Sequence, residues 1–242
     1  SQNKKLKELV CWSNQLTSLD VSRNKELTSL ECSENQLTAL DVSENTALMK
    51  LYCIHNKLTV LDVSRNPELM NLFCNNNKLT VLDLGADEKI HRLYCQNNVL
   101  TSLDVRENTA LTELHCHNNK LTVLDVSKNT DLKTLYCNSN HLTFLDLQGL
   151  NDLSDVYVGG QTRDGIVLLQ SGGAYVLDLG AFILEEGFDK VSGLAGQAGG
   201  TTLPAAYTPT SGKARFTTKP DKVTYGYNTG KTDGGNPVKM DV

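Results

Sequence analysis

Long apolar runs are missing from this sequence. No stretch approaches the roughly 18 consecutive apolar residues that a membrane helix needs, so no part of the chain is expected to insert into a bilayer. Basic clusters are equally scarce: 23 Lys and Arg against 28 Asp and Glu leave a net charge of −5. That balance argues against a nucleic-acid footprint or an anionic-membrane anchor. The signatures of common enzymes are also absent: there is no Walker loop, no Gly-x-Ser-x-Gly and no Cys/His pairing in context. No catalytic residue and no cofactor is therefore expected. The first residues, "SQNKKLKELV", lack an apolar signal core and run straight into a repeat. The chain is read as trimmed from a longer precursor, and its location is not legible from a leader.

Cysteine is confined to one position of a period. All seven, Cys11, Cys32, Cys53, Cys74, Cys95, Cys116 and Cys137, fall 21 residues apart, and none lies elsewhere. Each sits in the frame Leu30-x-Cys32-x-x-Asn35-x-Leu37, followed by Leu40-Asp41-Val42-Ser43-x-Asn45 and by Leu48, which opens the next unit. The Asn column runs unbroken from Asn14 through Asn35, Asn56, Asn77, Asn98 and Asn119 to Asn140. The pattern Leu-x-x-Leu-x-Leu-x-x-Asn-x-Leu marks leucine-rich repeats, with Cys here in one Leu position. One unit cannot bury its apolar edge alone, whereas stacked copies form a parallel ladder with a continuous core. Period-2 alternation turns Leu30 and Cys32 inward and Ser29, Glu31 and Ser33 outward. Each Asn is expected to satisfy backbone groups at the turn after the strand. The second half, "LTALDVSEN", is too short for a helix and is expected to be extended. The predicted fold is mainly β: a rather flat solenoid of seven repeats and a terminal strand over residues 1–158.

An odd number of cysteines excludes complete intramolecular pairing. Equivalent Cβ atoms on parallel strands lie about 4.8 Å apart, beyond the roughly 3.8 Å a disulfide prefers. A linear ladder does not offer zinc its tetrahedral set. The thiols are read as small buried hydrophobes filling a narrow inner position.

Function in a solenoid lies on the exposed columns. The position between Leu and Cys gives Val10, Glu31, Tyr52, Phe73, Tyr94, His115, Tyr136 and, one step on, Tyr157. Flanking columns add Trp12 and His117 on one side and Arg92 on the other. Tyr is favoured at binding surfaces, and an outward aromatic stripe is one that a soluble monomer usually avoids. Tyr52, Phe73, Tyr94, His115, Tyr136, Tyr157, Trp12, Arg92 and His117 are the candidate ligand-binding residues. Cross-strand stacking that stabilises the sheet is a compatible alternative role for the rings. Glu113, His115 and His117 share a strand face, and His-x-His can chelate a metal. Tyr94 and Gln96 on the preceding strand add little as ligands, so no metal site is expected. The column Asp20, Asp41, Asp62, Asp83, Asp104, Asp125 and Asp146 is filled in every copy. Its mutual repulsion calls for local hydrogen bonds to turn N–H groups or to the neighbouring Thr column, with bound calcium as the minor alternative.

After Leu147 the frame decays, and "DVYVGGQTRDG" reads as a last ladder strand leaving through glycines. Residues 159–242 shift to Gly, Thr and short apolar runs. "GIVLLQ", "AYVLDLG", "KARFTT", "KVTYGY" and "PVKMDV" are strand candidates. They imply a small β-sandwich that caps the open end of the solenoid.

The repeat "LTxLDVSxNxxLxxLxCxxN" resembles the internalin family of bacterial surface proteins, especially members with a cysteine at this core position. The segment "VGGQT" followed by "SGKARFTTKPDKVTYGYNTG" is similar to the immunoglobulin-like domain that follows internalin repeats. The resemblance implies a non-enzymatic, adhesin-like module on the bacterial cell surface that binds a protein or glycan on a host or neighbouring cell. The alternative is a rigid spacer without a ligand of its own. Ligand identity, anchorage and oligomeric state are not legible in the residues.

Overall fold

The computed structural model describes residues 3–161, apart from 87, 143, 144 and 148, and eight further strands between 169 and 241. The strands of the repeats are β1 (Glu8–Val10), β2 (Ser29–Glu31), β3 (Lys50–Tyr52), β4 (Val60–Asp62), β5 (Asn71–Phe73), β6 (Val81–Asp83), β7 (Arg92–Tyr94), β8 (Glu113–His115), β9 (Thr134–Tyr136) and β10 (Asp155–Tyr157). Eight of them form one parallel sheet in the order β1-β2-β3-β5-β7-β8-β9-β10, while β4 and β6 pair in parallel on the second run of the coil. Register follows the 21-residue step throughout, as in Leu72 opposite Leu93 and Phe73 opposite Tyr94. Among the described residues no helix forms, because a second run of the length of "LTALDVSEN" can close the coil only in extended or turn conformation.

The core is a single apolar column system running the length of the stack. A coil such as the second contributes Leu30, Cys32, Leu37, Leu40, Val42 and Leu48, all at 8% exposure or less. Each such side chain is worth about 1.5–3 kcal/mol when fully buried, but only once neighbouring coils close over it. Six cysteines are buried, and all seven are free thiols; Cys11, in the first described coil, is only half-buried. Burial holds the thiols of Cys32, Cys95 and Cys137 up at about 12, so the ladder stays protonated and inert.

Two asparagine columns tie coil to coil. Asn119 donates from Nδ2 to the carbonyl oxygens of Cys95 at 3.1 Å and Cys116 at 3.0 Å, while its Oδ1 accepts the Leu100 N–H at 3.0 Å. Asn56, Asn98 and Asn140 make the same set. On the second run Asn45 donates to Val21 and Asn24, and Asn66 to Val42 and Asn45. Immediately before the first column lies a left-handed residue in every coil, with φ of 52–57° at Ser13, Glu34, His55, Asn76, Asn97, Asn118 and Ser139. Asn tolerates that conformation best among non-glycine residues. In the coil after Asn140, Gly160 takes the left-handed place at φ 68°. Gln161 then takes the Asn place, donating to Cys137 and Val158 and accepting the Leu142 N–H. The ladder contacts thus continue through Gln161, which sequence reading missed because the residue type changes while the 21-residue spacing holds.

The remaining strands are β11 (Leu169–Ser171), β12 (Ala174–Asp178), β13 (Val191–Ala198), β14 (Thr201–Pro204), β15 (Ala206–Thr208), β16 (Lys213–Phe216), β17 (Lys222–Asp233) and β18 (Asn236–Asp241). They form two antiparallel sheets, β11-β12-β16-β15 and β14-β13-β17-β18. Four of the strand candidates correspond to β12, β16, β17 and β18, and the fifth, "GIVLLQ", lies mostly outside the described residues.

Candidate binding face

The outward side chains of the long sheet form three parallel columns. Its centre holds Tyr52, Phe73, Tyr94, His115 and Tyr136, each half-buried, with Tyr157 at 61% exposure beyond them. Because successive strands lie about 4.8 Å apart, rings carried on equivalent positions meet face to face. Centroid separations are 4.3 Å for Phe73–Tyr94, 4.1 Å for Tyr94–His115 and 4.5 Å for His115–Tyr136, with interplanar angles of 4°, 2° and 18°. Tyr52 closes the stack edge-on against Phe73 at 4.9 Å and 63°. The stripe expected to be open is therefore partly covered by its own members: the ring faces are occupied, and the ring edges meet solvent.

The column two residues earlier pins these rings. The Tyr94 hydroxyl donates to Oε2 of Glu113 at 2.5 Å, and the Tyr136 hydroxyl donates to Oδ2 of Asp155 at 2.5 Å. Arg92 in turn donates from Nε to Oε1 of Glu113 at 3.1 Å. Partial burial and the bond to Glu113 push the Tyr94 hydroxyl up to about 12, and the bond to Asp155 raises that of Tyr136. Sequence reading did not pick out Glu113 and Asp155 in this role. The signal was the offset of 19 residues, one repeat less two, that brings an acid on one strand beside a tyrosine on the strand before.

On the other flank, two residues after the ring, stand Ile54, Asn75, Gln96, His117 and Asn138. The His117 ring sits 6.2 Å from His115 and 6.3 Å from Tyr136, tilted against both. Burial lowers the pKa of His115 and of His117, and the neighbouring His117 lowers that of His115 further, so both are neutral at pH 7. Trp12 lies apart in the first described coil at 55% exposure. Thus Tyr52, Phe73, Tyr94, His115, Tyr136, Arg92 and His117 fall into one surface, with Tyr157 and Trp12 toward its two ends.

The aspartate column answers its own repulsion locally. Asp41, Asp62 and Asp125 each accept the N–H of the serine two residues on, Asp83 accepts that of Gly85, and Asp104 binds Arg106 through backbone and guanidinium. These bonds lower the carboxyl pKa of Asp41, Asp62 and Asp125, and Arg106 brings that of Asp104 to about 2. Among the described residues, no three His, Cys, Asp or Glu side chains converge as a metal site would require. No helix among them is long and apolar enough to cross a membrane.

These columns define an all-β leucine-rich-repeat solenoid with a cysteine ladder, internalin-like in its repeat. Among solved structures the chain is similar to YopM, a leucine-rich effector protein of Yersinia pestis, at 27% identity over 65% of this chain and 44% of that one, with a TM-score of 0.59. It is also similar to internalin C2 of Listeria monocytogenes, at 22% identity over 64% and 70% of the two chains, with a TM-score of 0.54. The functional domain of InlJ from Listeria monocytogenes, which includes a cysteine ladder, matches at 34% identity over 62% of this chain and 43% of that one, with a TM-score of 0.41. The chain thus spans under half the length of the InlJ and Yersinia pestis YopM chains it matches. No family model and no curated protein matches it.

Proposed function

We propose that the chain is a non-enzymatic binding module of a bacterial cell surface, whose partner on a host or neighbouring cell docks on the long sheet through the ring column. The observation that carries this reading is the unbroken stack from Phe73 to Tyr136, half-exposed and fixed in place by Glu113 and Asp155. A pre-ordered aromatic surface with a charged border at Arg92 and Glu113 has the anatomy of a protein interface, an apolar centre with a polar rim. Of the two partner classes, protein fits better than glycan. Sugars stack on open aromatic faces, and here those faces are taken by neighbouring rings.

The segment that follows the solenoid is read as an immunoglobulin-like β-domain, with its two four-stranded antiparallel sheets in support. A second reading, a rigid spacer, draws on the same stack: rings that satisfy one another also stiffen the sheet. The test is to probe a glycan array and surface-biotinylated host cells in parallel with the intact chain and with a Phe73→Ala/Tyr94→Ala variant. Capture of one cell-surface protein by the intact chain alone supports the module. Equal capture by both forms places the binding site off the ring column, and capture by neither favours the spacer.

A further inference from the structure

Beside the rings, in the column Asn75, Gln96 and His117, three polar atoms are shut off from solvent and make no hydrogen bond: Asn75 Oδ1, Gln96 Oε1 and His117 Nδ1. Asn75 is only 8% exposed. The three residues follow one another on adjacent coils, held in register by the bonds of Asn76 N–H to Gln96 O at 3.0 Å and of Asn97 N–H to His117 O at 3.1 Å. Buried polar atoms left unmatched are destabilising, so a donor is needed for each carbonyl oxygen. The next column shows how one is supplied. Asn118 donates from Nδ2 to Asn97 Oδ1 at 2.8 Å, and Asn97 donates likewise to Asn76 Oδ1 at 2.9 Å, each bond pointing one coil back.

We propose that Asn75, Gln96 and His117 form a second chain of the same polarity, His117 Nδ1–H to Gln96 Oε1 and Gln96 Nε2–H to Asn75 Oδ1. The backbone bonds between these coils already set the three residues at ladder spacing, as they do for Asn76, Asn97 and Asn118. An imidazole carries its neutral-form proton on either nitrogen, and the bond made by one nitrogen decides the state of the other. With Nδ1 committed to Gln96, His117 is held as the Nδ1–H tautomer, and its Nε2 becomes a bare acceptor beside the ring stack. Burial, which keeps this imidazole neutral, agrees with that assignment. His117 is then a specificity-determining residue: a partner docking on this face presents a hydrogen-bond donor to Nε2. This deepens, and rests on, the reading of the sheet as the binding face.

The test needs no partner, so its failure is separable from failure of that reading. Long-range proton–nitrogen correlation spectra of the intact, 15N-histidine-labelled chain near neutral pH report the tautomer of His117 directly. The Nδ1–H form is expected in the native protein, a switch to Nε2–H, which the free side chain favours, in Gln96→Leu, and return to Nδ1–H in Gln96→Glu, which restores an acceptor. A circular-dichroism spectrum of each variant checks that the coil is intact. A native Nε2–H tautomer, or a tautomer indifferent to Gln96→Leu in a folded variant, overturns the proposal.

Discussion

Asn119 reaches back across a whole coil to the carbonyl oxygen of Cys95, 24 residues earlier, with its Nδ2 at 3.1 Å. That bond, together with those to Cys116 and Leu100, supplies partners for backbone groups of its own coil and of the coil before it. Asn119→Ala leaves the buried Leu100 N–H without its partner, at about 1–3 kcal/mol, while the carbonyls of Cys95 and Cys116 each lose one amide bond and keep those from Asn98 and Asn140. The loss passes to the neighbouring coils, because repeats are stable only through their interfaces. A fall in Tm larger than that for Lys120→Ala, at an exposed position with an ordinary backbone conformation, is expected in thermal melts.

Thiol chemistry separates the ends of the ladder from its middle. Alkylation of the folded protein, followed by mass spectrometry, should label Cys11 first, because it is half-buried, and leave the six buried cysteines untouched until unfolding. Rapid labelling of four or more cysteines in the folded state would contradict the core position of the ladder.

Leu93 is fully buried at the centre of β7. Leu93→Ala should cost about 2–5 kcal/mol through the cavity it leaves, whereas Val123→Ala, at a site 61% exposed, should cost little. Urea denaturation of both variants checks the contrast.

Acid acts on the fold in two windows. His115 and His117 have pKa values lowered in the folded state, mainly by burial, so the unfolded chain binds more protons, and stability rises with pH across their range. Stability should therefore fall as pH drops below about 6.5, and His115→Phe/His117→Gln should flatten that slope in denaturant titrations. The carboxylates of Asp41, Asp62, Asp104 and Asp125 are depressed in the fold. Their small contribution is full above the ordinary carboxylate range and is lost as pH falls through it toward their folded values.

The solenoid was legible because one coil must satisfy the same packing problem as the next, so Leu, Cys and Asn return at fixed steps. Gln161 escaped because a longer amide does the work of Asn where the period is ending. The ring column was legible in register but not in exposure. How much of His115 meets water depends on Tyr94 and Tyr136 closing over it at 4.1 and 4.5 Å, a property of neighbouring strands rather than of any one position. The hydroxyl bonds to Glu113 and Asp155 escaped for a similar reason, since they cross from one column to another. Of the C-terminal strands, β13, β14 and β15 were not expected; in β13, "VSGLAGQA", glycines hide the alternation that marks a strand.

The most direct measurement is the affinity of the intact chain for the cell-surface protein it captures, beside two variants on opposite runs of the coil. One is Tyr52→Ala/Phe73→Ala/Tyr94→Ala/Tyr136→Ala. The other is Asp41→Ala/Asp62→Ala/Asp83→Ala. Each lost ring pair costs about 0.5–1.5 kcal/mol, so the ring variant should melt lower than the intact chain yet remain folded below its transition. The account predicts that the ring variant loses binding while the aspartate variant keeps it. Undiminished binding by a folded ring variant would contradict it.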